Sequence, residues 1–167
     1  LKECIESAKL LTDNVIKSNQ EAKYIEEIRE TAINKIDTEW IFLLDADERI
    51  TREAASEIKY VIKEDQFTSY KIPRKNIFGK KKWLKHGGWW PDHQVRFFRK
   101  GSVTWITKIH GIPLTKGVGI DIEAMEDLAL VHHHYQNLEQ FIGRLNRYTS
   151  VSAKELYVSG TKFKLEF

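Results

Sequence analysis

Acidic side chains gather directly after an apolar run early in the chain. The run Trp40–Leu44 is followed by Asp45, Asp47 and Glu48. A short apolar run is typical of a strand buried on both faces of a parallel or mixed sheet, and ligands of open α/β sheets bind outside the strand ends. Adjacent carboxylates suit Mg²⁺ or Mn²⁺, which also bind substrate phosphates. The pattern therefore predicts a divalent metal at Asp45 and Asp47. The alternative is a solvated turn in which Asp47 caps the next helix.

A second informative segment, His86–Gly101, combines a tight turn with an alternating strand. Gly87–Gly88 allows a sharp bend in the backbone, and Pro91 stiffens it. This arrangement places Asp92 just before a strand predicted over Gln94–Arg99. On its residues alone, Asp92 is either a reactive carboxylate or the cap of the turn.

Three other side chains of this segment have two interpretations each. Trp89 and Trp90 are able to stack on a sugar ring, but tryptophan is as often part of a core, and we expect one of each. Arg96 is either one half of a structural ion pair or a ligand for an anion.

A run of histidines, His132–His134, ends the apolar segment that begins at Leu128. His132 follows an apolar strand, as Asp47 does, so the two side chains could converge from neighbouring strand ends. On a strand, His133 points away from the other two histidines. Three consecutive histidines can also bind a transition metal adventitiously.

Taken together, these segments resemble the family 2 glycosyltransferases of the GT-A fold, in particular the bacterial lipopolysaccharide-core glucosyltransferases. Trp40–Arg49 matches the pattern W-I, two apolar residues, D-A-D-E-R, and His86–Gly101 contains G-W-aromatic-P-D-x-Q-x-R-apolar-F-R. Leu130–Tyr135 matches L-x-H-x-x-Y, and Lys108–Gly111 resembles a V-H-E segment in which Gly111 replaces the glutamate. The similarity runs from about Glu21 to Tyr157.

The resemblance implies inverting transfer of a sugar from a nucleotide diphosphate, with a UDP-sugar as the expected donor. It implies that Asp92 is the general base, which must reach the acceptor hydroxyl. The implied metal ligands for Mg²⁺ or Mn²⁺ are Asp47, Asp45 and His132. Arg96 joins the two aspartates as an expected contact of the donor.

The expected acceptor is a glycan, a lipid-linked saccharide or a protein. Trp89, Trp90 and His110 are the expected acceptor contacts, although a structural role for His110 is an equal alternative. The last helix resembles a family helix that lies near the membrane, so we expect a cytoplasmic protein with peripheral contact at the inner membrane face. A solvated helix face is the alternative.

Length and composition fit one α/β domain with a GT-A-like mixed sheet flanked by helices. The 167 residues divide into a remnant of the nucleotide-binding half (1–20), a catalytic core (21–135) and a C-terminal helix and tail (136–167). We expect the front to be incomplete, because the Gly/Ser/Thr-rich loop of the family does not appear. The rival function is therefore an inactive remnant that binds a glycan or a protein.

The remaining composition excludes some classes. One cysteine excludes an internal disulfide framework, and no apolar run approaches the length of a membrane span. The net charge of +3 is too even to favour nucleic-acid binding.

Periodicity predicts the elements around these segments. The predicted helices are Leu1–Val15, Glu21–Ile36, Thr51–Lys63 with Thr51 as its cap, and one that Asn137 caps. The further predicted strands are Asp13–Ile16, Phe67–Lys75, Ser102–Thr107 and Leu128–Tyr135, with a basic loop over Asn76–Lys85. Pro73 should either make its strand an edge strand or end it.

Overall fold

The computed structural model describes residues 1–18, 25–63, 66–105 and 113–162, without the side chains of 25–27. Within these ranges the chain forms an α/β fold, as the sequence predicts. The helices are α1 (Lys2–Ala8), α2 (Ile25–Asn34), α3 (Arg52–Val61) and α4 (Leu138–Val158). The strands are β1 (Trp40–Phe42), β2 (Glu48–Arg49), β3 (Ser69–Phe78), β4 (Lys82–Trp83), β5 (Asp92–Arg99), β6 (Val103–Thr104), β7 (Leu114–Thr115), β8 (Gly119–Asp121) and β9 (Leu130–Tyr135).

One mixed sheet carries most of the described fold. Its strand order is β1-β5-β3-β9-β2, and β4 and β8 also pair with β3, while β6 and β7 form a separate ribbon. Strands β8 and β9 run parallel to β3, and the other pairs in the sheet are antiparallel.

Strand β1 lies at one edge of this sheet rather than in its interior. Among the described residues it pairs only with β5, from Trp40 opposite Arg99 to Phe42 opposite Phe97. The prediction of a strand in the middle of the sheet is therefore wrong for the part of the chain described. The apolar run indicates that the strand is buried. It does not show whether neighbouring strands or helices cover it, because both give the same sequence pattern.

The central strand is β3, although Pro73 predicted an edge strand or a strand end there. Pro73 lies between the stretch that pairs with β8, which ends at Lys71, and the stretch that pairs with β9, which begins at Arg74. Its missing N–H therefore costs no ladder hydrogen bond on that side. The strand also continues to Phe78, so Asn76 is a strand residue and not part of the predicted loop.

A β-bulge gives Arg96 its position. In the pairing of β3 with β5, Tyr70 lies opposite Phe97 and Lys71 lies opposite Val95, so Arg96 is the extra residue of β5. Its carbonyl accepts a hydrogen bond from Leu43 N at 2.7 Å. Bulges redirect side chains, and Arg96 is buried with 2% exposure.

The helix caps agree with prediction better than the helix lengths do. Thr51 Oγ1 accepts a hydrogen bond from Ala54 N at 3.0 Å, and Asn137 Oδ1 accepts one from Gln140 N at 2.8 Å. Helix α1 ends at Ala8 rather than at Val15, and residues 13–18 contain no strand.

The core lies between the sheet and α3. Ala54, Ala55 and Ile58 of α3 pack in one buried cluster with residues of three strands, among them Tyr70 and Leu130. No helix in the described ranges is both long and apolar enough to cross a membrane.

Candidate functional site

Six charged side chains of alternating sign form a continuous series through the sheet. We call this series the ion-pair chain: Arg29, Asp45, Arg96, Glu48, Arg74 and Asp92. Successive members are joined by N–O distances of 2.9, 2.6, 2.6, 3.3 and 2.6 Å. The three arginines balance the three carboxylates, so the series as a whole is neutral.

Asp45 is held by two arginines. Arg29 donates to both of its carboxylate oxygens at 2.9 Å, and Arg96 donates to Oδ2 at 2.6 Å. Burial raises the pKa of Asp45, but the charges of Arg96 and then Arg29 outweigh this and bring the pKa to about 2. The carboxylate is therefore ionised, and in this structure it is engaged in ion pairs with both arginines.

Arg96 bridges Asp45 and Glu48. Its side chain is 3% exposed, and one terminal nitrogen lies 2.6 Å from an oxygen of each carboxylate. Of the two interpretations predicted for Arg96, the structural ion pair is the one observed. Glu48 is fully buried, and it also accepts hydrogen bonds from Arg74 Nη1 at 3.3 Å and from Asp45 N at 3.2 Å.

A second group of polar side chains surrounds Asn76. We call it the Asn76 cluster: Asn76, Asp92, His132, His134 and Asp47. Asn76 is 1% exposed; its Nδ2 donates to Asp92 Oδ2 and to the carbonyl of Trp89, each at 3.0 Å. Its Oδ1 lies 2.6 Å from His132 Nδ1. Asn76 therefore connects two of the segments that the sequence singled out, and the third, with Asp47, joins them through His132.

Sheet register explains why these residues meet. Asn76 of β3 lies opposite His132 of β9, and Glu48 of β2 lies opposite the same histidine on its other side. The backbone of His133 donates to Asp47 O at 2.9 Å, which fixes the turn that carries Asp47. The His133 side chain is exposed, as strand alternation predicts.

Asp92 belongs to both groups. Its Oδ2 accepts from Arg74 and Asn76, and its Oδ1 accepts from Gln94 Nε2 at 2.8 Å. Burial raises the pKa of Asp92, but Arg74 and the hydrogen bonds from Asn76 and Gln94 lower it, and the net pKa is below its ordinary value. Asp92 is therefore ionised at neutral pH, as a group that accepts a proton must be.

Asp47 is the open end of the cluster. Its side chain is 42% exposed, and Oδ2 lies 3.6 Å from His132 Nε2. Burial raises the pKa of Asp47, while the contact with His132 lowers it below its ordinary value. His134 Nδ1 lies 3.3 Å from the same Nε2 atom, and burial is the largest cause that lowers the pKa of His134 to about 4.

The donor set determines how well a divalent metal fits. Within the described residues, no three His, Cys, Asp or Glu side chains assemble into a metal-binding group. Two predicted ligands, Asp47 and His132, do face each other. One carboxylate oxygen and one imidazole nitrogen fit a cation such as Mn²⁺ or Mg²⁺ that completes its coordination with water and phosphate. Asp45, the third predicted ligand, is held by arginines instead.

The predicted acceptor contacts lie in different surroundings. The ring of Trp89 lies 5.3 Å from that of His134, at the Asn76 cluster, and Trp90 packs edge-on against Trp83 at 5.0 Å. Both Trp89 and Trp90 are half-buried. His110 lies outside the described residues.

An apolar groove of about 720 Å³ runs beside the free edge of β1. Helices α1 and α2 form its walls, with Ile5, Ile28 and Ile33 among the lining residues. Asp45 and Ala46 line one end, but Asp47, Asp92 and His132 do not line it. The ion-pair chain therefore extends from this groove, which Arg29 and Asp45 line, to the Asn76 cluster, which contains Asp92.

Sequence reasoning missed three residues of the site. Helical periodicity places Arg29 on the solvent face of the predicted helix Glu21–Ile36, but its side chain is 13% exposed, and its guanidinium lies 4.7 Å from the ring centre of Trp105. Arg74 and Asn76 were not singled out. One useful signal was the balance of charge, because carboxylates that become largely buried require cationic partners. A second was strand alternation: Arg74 and Asn76 are two positions apart on β3, so their side chains lie on the same face of the sheet.

Comparison with known proteins does not assign this chain to a family. No protein-family model matches this chain, and no curated protein matches it in sequence. The functional argument therefore depends on the geometry of the site and on the motif resemblance.

Proposed function

We propose that this chain is a metal-dependent glycosyltransferase domain of the family 2 type, which moves a sugar from a nucleotide diphosphate to an acceptor hydroxyl with inversion. The observation that supports the proposal most is the set of hydrogen bonds made by Asn76 at the centre of the Asn76 cluster. Hydrogen bonds from one buried amide connect the expected base, Asp92, to the expected metal histidine, His132, and to the backbone of Trp89. Asp47 of the third segment approaches His132 Nε2 at 3.6 Å, and a chance resemblance of three separate segments gives no reason for them to meet.

The donor diphosphate would lie at the open end of the cluster. Asp47 and His132 Nε2 would hold a divalent cation there, and such a cation stabilises negative charge on a departing phosphate. The protein places the half-exposed Asp47 carboxylate where a solvated ligand can reach it. Arg96 is engaged in ion pairs, so in this proposal its role is to hold Asp45 and Glu48 and not to bind the donor.

The proton transfer would fall to Asp92. As the acceptor oxygen forms its bond to the anomeric carbon, its proton passes to the carboxylate, and the bond from that carbon to the β-phosphate breaks. The electron pair of that bond leaves with the nucleoside diphosphate. Asp92 Oδ1 has one described hydrogen-bond donor, Gln94, while Oδ2 has Arg74 and Asn76. Oδ1 is therefore the better placed oxygen to accept the proton.

A second candidate is a binding module without transferase activity. It is favoured by the arginine contacts of Asp45 and Asp92, because both carboxylates then serve the scaffold. In that case Trp89 and the Asn76 cluster would bind a glycan, and no nucleotide sugar would be consumed.

Calorimetric titration of UDP, with and without Mn²⁺, tests the donor site. We expect Mn²⁺-dependent binding that Asp47→Ala abolishes. Asp121→Ala is the matched control, because Asp121 is an exposed carboxylate that pairs with half-exposed Lys71 at 3.2 Å. A folded protein that binds no UDP under either condition would overturn the proposed UDP-sugar donor and leave the binding module as the better account.

A further inference from the structure

The orientation of the Asn76 side chain follows from its neighbours. One end of the amide faces two oxygen acceptors, Asp92 Oδ2 and the carbonyl of Trp89, each at 3.0 Å. Only the NH₂ group can donate to both, because a carbonyl oxygen there would face two other oxygens without a proton between them. The amide nitrogen is therefore at this end, and Oδ1 is at the other.

This orientation determines the proton position on His132. Asn76 Oδ1 lies 2.6 Å from His132 Nδ1, and both side chains are buried. An amide oxygen is only an acceptor, so Nδ1 must carry the hydrogen. In the neutral imidazole the other nitrogen, Nε2, then has a lone pair.

We infer that Asn76 is a positioning residue that holds His132 in the Nδ1–H tautomer and so directs the Nε2 lone pair toward Asp47. The inference builds on the proposed function, but it concerns the resting protein and needs no nucleotide. Asp47 Oδ2 lies 3.6 Å from Nε2, so two electron-pair donors face the same space. Such a pair attracts a divalent cation, and a mixed oxygen and nitrogen set suits Mn²⁺ better than Mg²⁺.

The position of His134 agrees with this tautomer. Its Nδ1 lies 3.3 Å from His132 Nε2, where an N–H of neutral His134 can donate to the lone pair in the metal-free protein. A cation that binds Nε2 must replace this hydrogen bond, because the nitrogen has one lone pair. Outer hydrogen-bond partners of metal-binding histidines fix both tautomer and ring orientation, and their loss typically weakens metal affinity roughly 10–100-fold. Asn76 would be such a partner. Because it also donates to Asp92, it would connect the cation site to the proposed base.

Nitrogen NMR of the full chain labelled at histidine tests the tautomer directly. Long-range proton–nitrogen spectra are recorded without metal at a pH where histidine is neutral, and His132→Gln assigns the signals. We expect a protonated Nδ1 and an unprotonated Nε2 on His132. A protonated Nε2 with a bare Nδ1 would overturn the inference, whatever the outcome for UDP binding.

Variants then separate positioning from folding. Asn76→Leu keeps the branched shape of the side chain but removes the acceptor, and we expect loss of the fixed tautomer and Mn²⁺ affinity roughly 10–100-fold weaker. Gln94→Leu is the matched control, since Gln94 donates to Asp92 and has no described contact with His132. It should leave the His132 tautomer unchanged.

Asn76→Asp is the conservative variant and covers the case in which Asn76→Leu does not fold. A carboxylate oxygen still accepts from His132 Nδ1–H, so we expect the tautomer to be kept, although Asp92 gains a negative neighbour. If Asn76→Leu folds and binds Mn²⁺ as tightly as the natural chain, or if Asn76→Asp loses the tautomer, the positioning role is contradicted.

Discussion

The ion-pair chain and the Asn76 cluster use the same kinds of side chain in opposite ways. In the ion-pair chain, each carboxylate faces an arginine, and Arg96 and Glu48 are 3% and 0% exposed. In the Asn76 cluster, Asp47 is 42% exposed and faces a histidine. In the first arrangement every carboxylate is paired with an arginine, while the second leaves a carboxylate and an imidazole at an open edge. Neighbouring acids of one motif, Asp45 and Asp47, thus fall on different sides of the division.

Arg96→Met should give the largest effect, because it strands two buried carboxylates. Removal of one partner from a buried ion pair typically costs about 3–5 kcal/mol, and Arg96 serves both Asp45 and Glu48. Urea unfolding measures the change. Lys71→Met is the control, since Lys71 and Asp121 are both half-exposed, and it should cost less than about 1 kcal/mol. Equal losses in the two variants would contradict a structural role for the ion-pair chain.

Arg74→Met should affect both regions, because Arg74 contacts Glu48 and Asp92. We expect a stability loss of about 1–3 kcal/mol, as for a lost hydrogen bond to a charged group. The pKa of Asp92 should also rise toward its ordinary value, because Arg74 is the first of the groups that lower it. Carbon NMR of the aspartate carboxyls during an acid titration measures this. An unchanged Asp92 pKa would show that the two regions are not coupled through Arg74.

Acid should remove the stabilisation that Asp45 gives to the ion-pair chain only at low pH. The pKa of Asp45 is about 2 in the folded protein, against an ordinary value of 3.8. A lowered folded pKa means that the stabilisation is fully present above the ordinary value and is lost as the pH falls through about 2. The loss is about 2 kcal/mol. Unfolding measured between pH 5 and pH 2 should show this fall in the natural chain and a smaller one in Asp45→Asn, and parallel curves would contradict it.

Asp47→Asn should change stability least, by less than about 1 kcal/mol, because the side chain is partly solvated and its partner is a histidine. The same substitution should remove Mn²⁺ binding, which calorimetry measures. A stability loss as large as that of Arg96→Met would place Asp47 in the scaffold and remove the distinction between the two regions.

Local patterns predicted some of these features well. The caps at Thr51 and Asn137 depend on a few neighbouring residues, and both are observed. The caps are predictable because the information lies within a few residues. The approach of His132 to Asp47 was also predicted, but from an incorrect premise: His132 lies inside β9, and the register of β2 on β9 brings the two side chains together.

Features that depend on pairing between distant segments could not be predicted. The bulge that redirects Arg96 comes from the register of β5 on β3, and the tolerance of Pro73 comes from the change from β8 to β9. Asn76 lay in a predicted loop because glycine and lysines follow it, yet its strand continues to Phe78. The hub of the site was therefore hidden, although the residues that it connects were visible in the sequence.

Turnover of a UDP-sugar is the most direct test of the proposed transferase. The protein is incubated with Mn²⁺, a panel of UDP-sugars and saccharide acceptors, and released UDP is measured for the natural chain, Asp92→Asn and the control Asp121→Asn. We predict release by the natural chain and the control, and a loss of roughly 10²–10⁴-fold in Asp92→Asn, as for removal of a general base. UDP binding by the natural chain without release from any donor, or equal release by Asp92→Asn, would contradict the account.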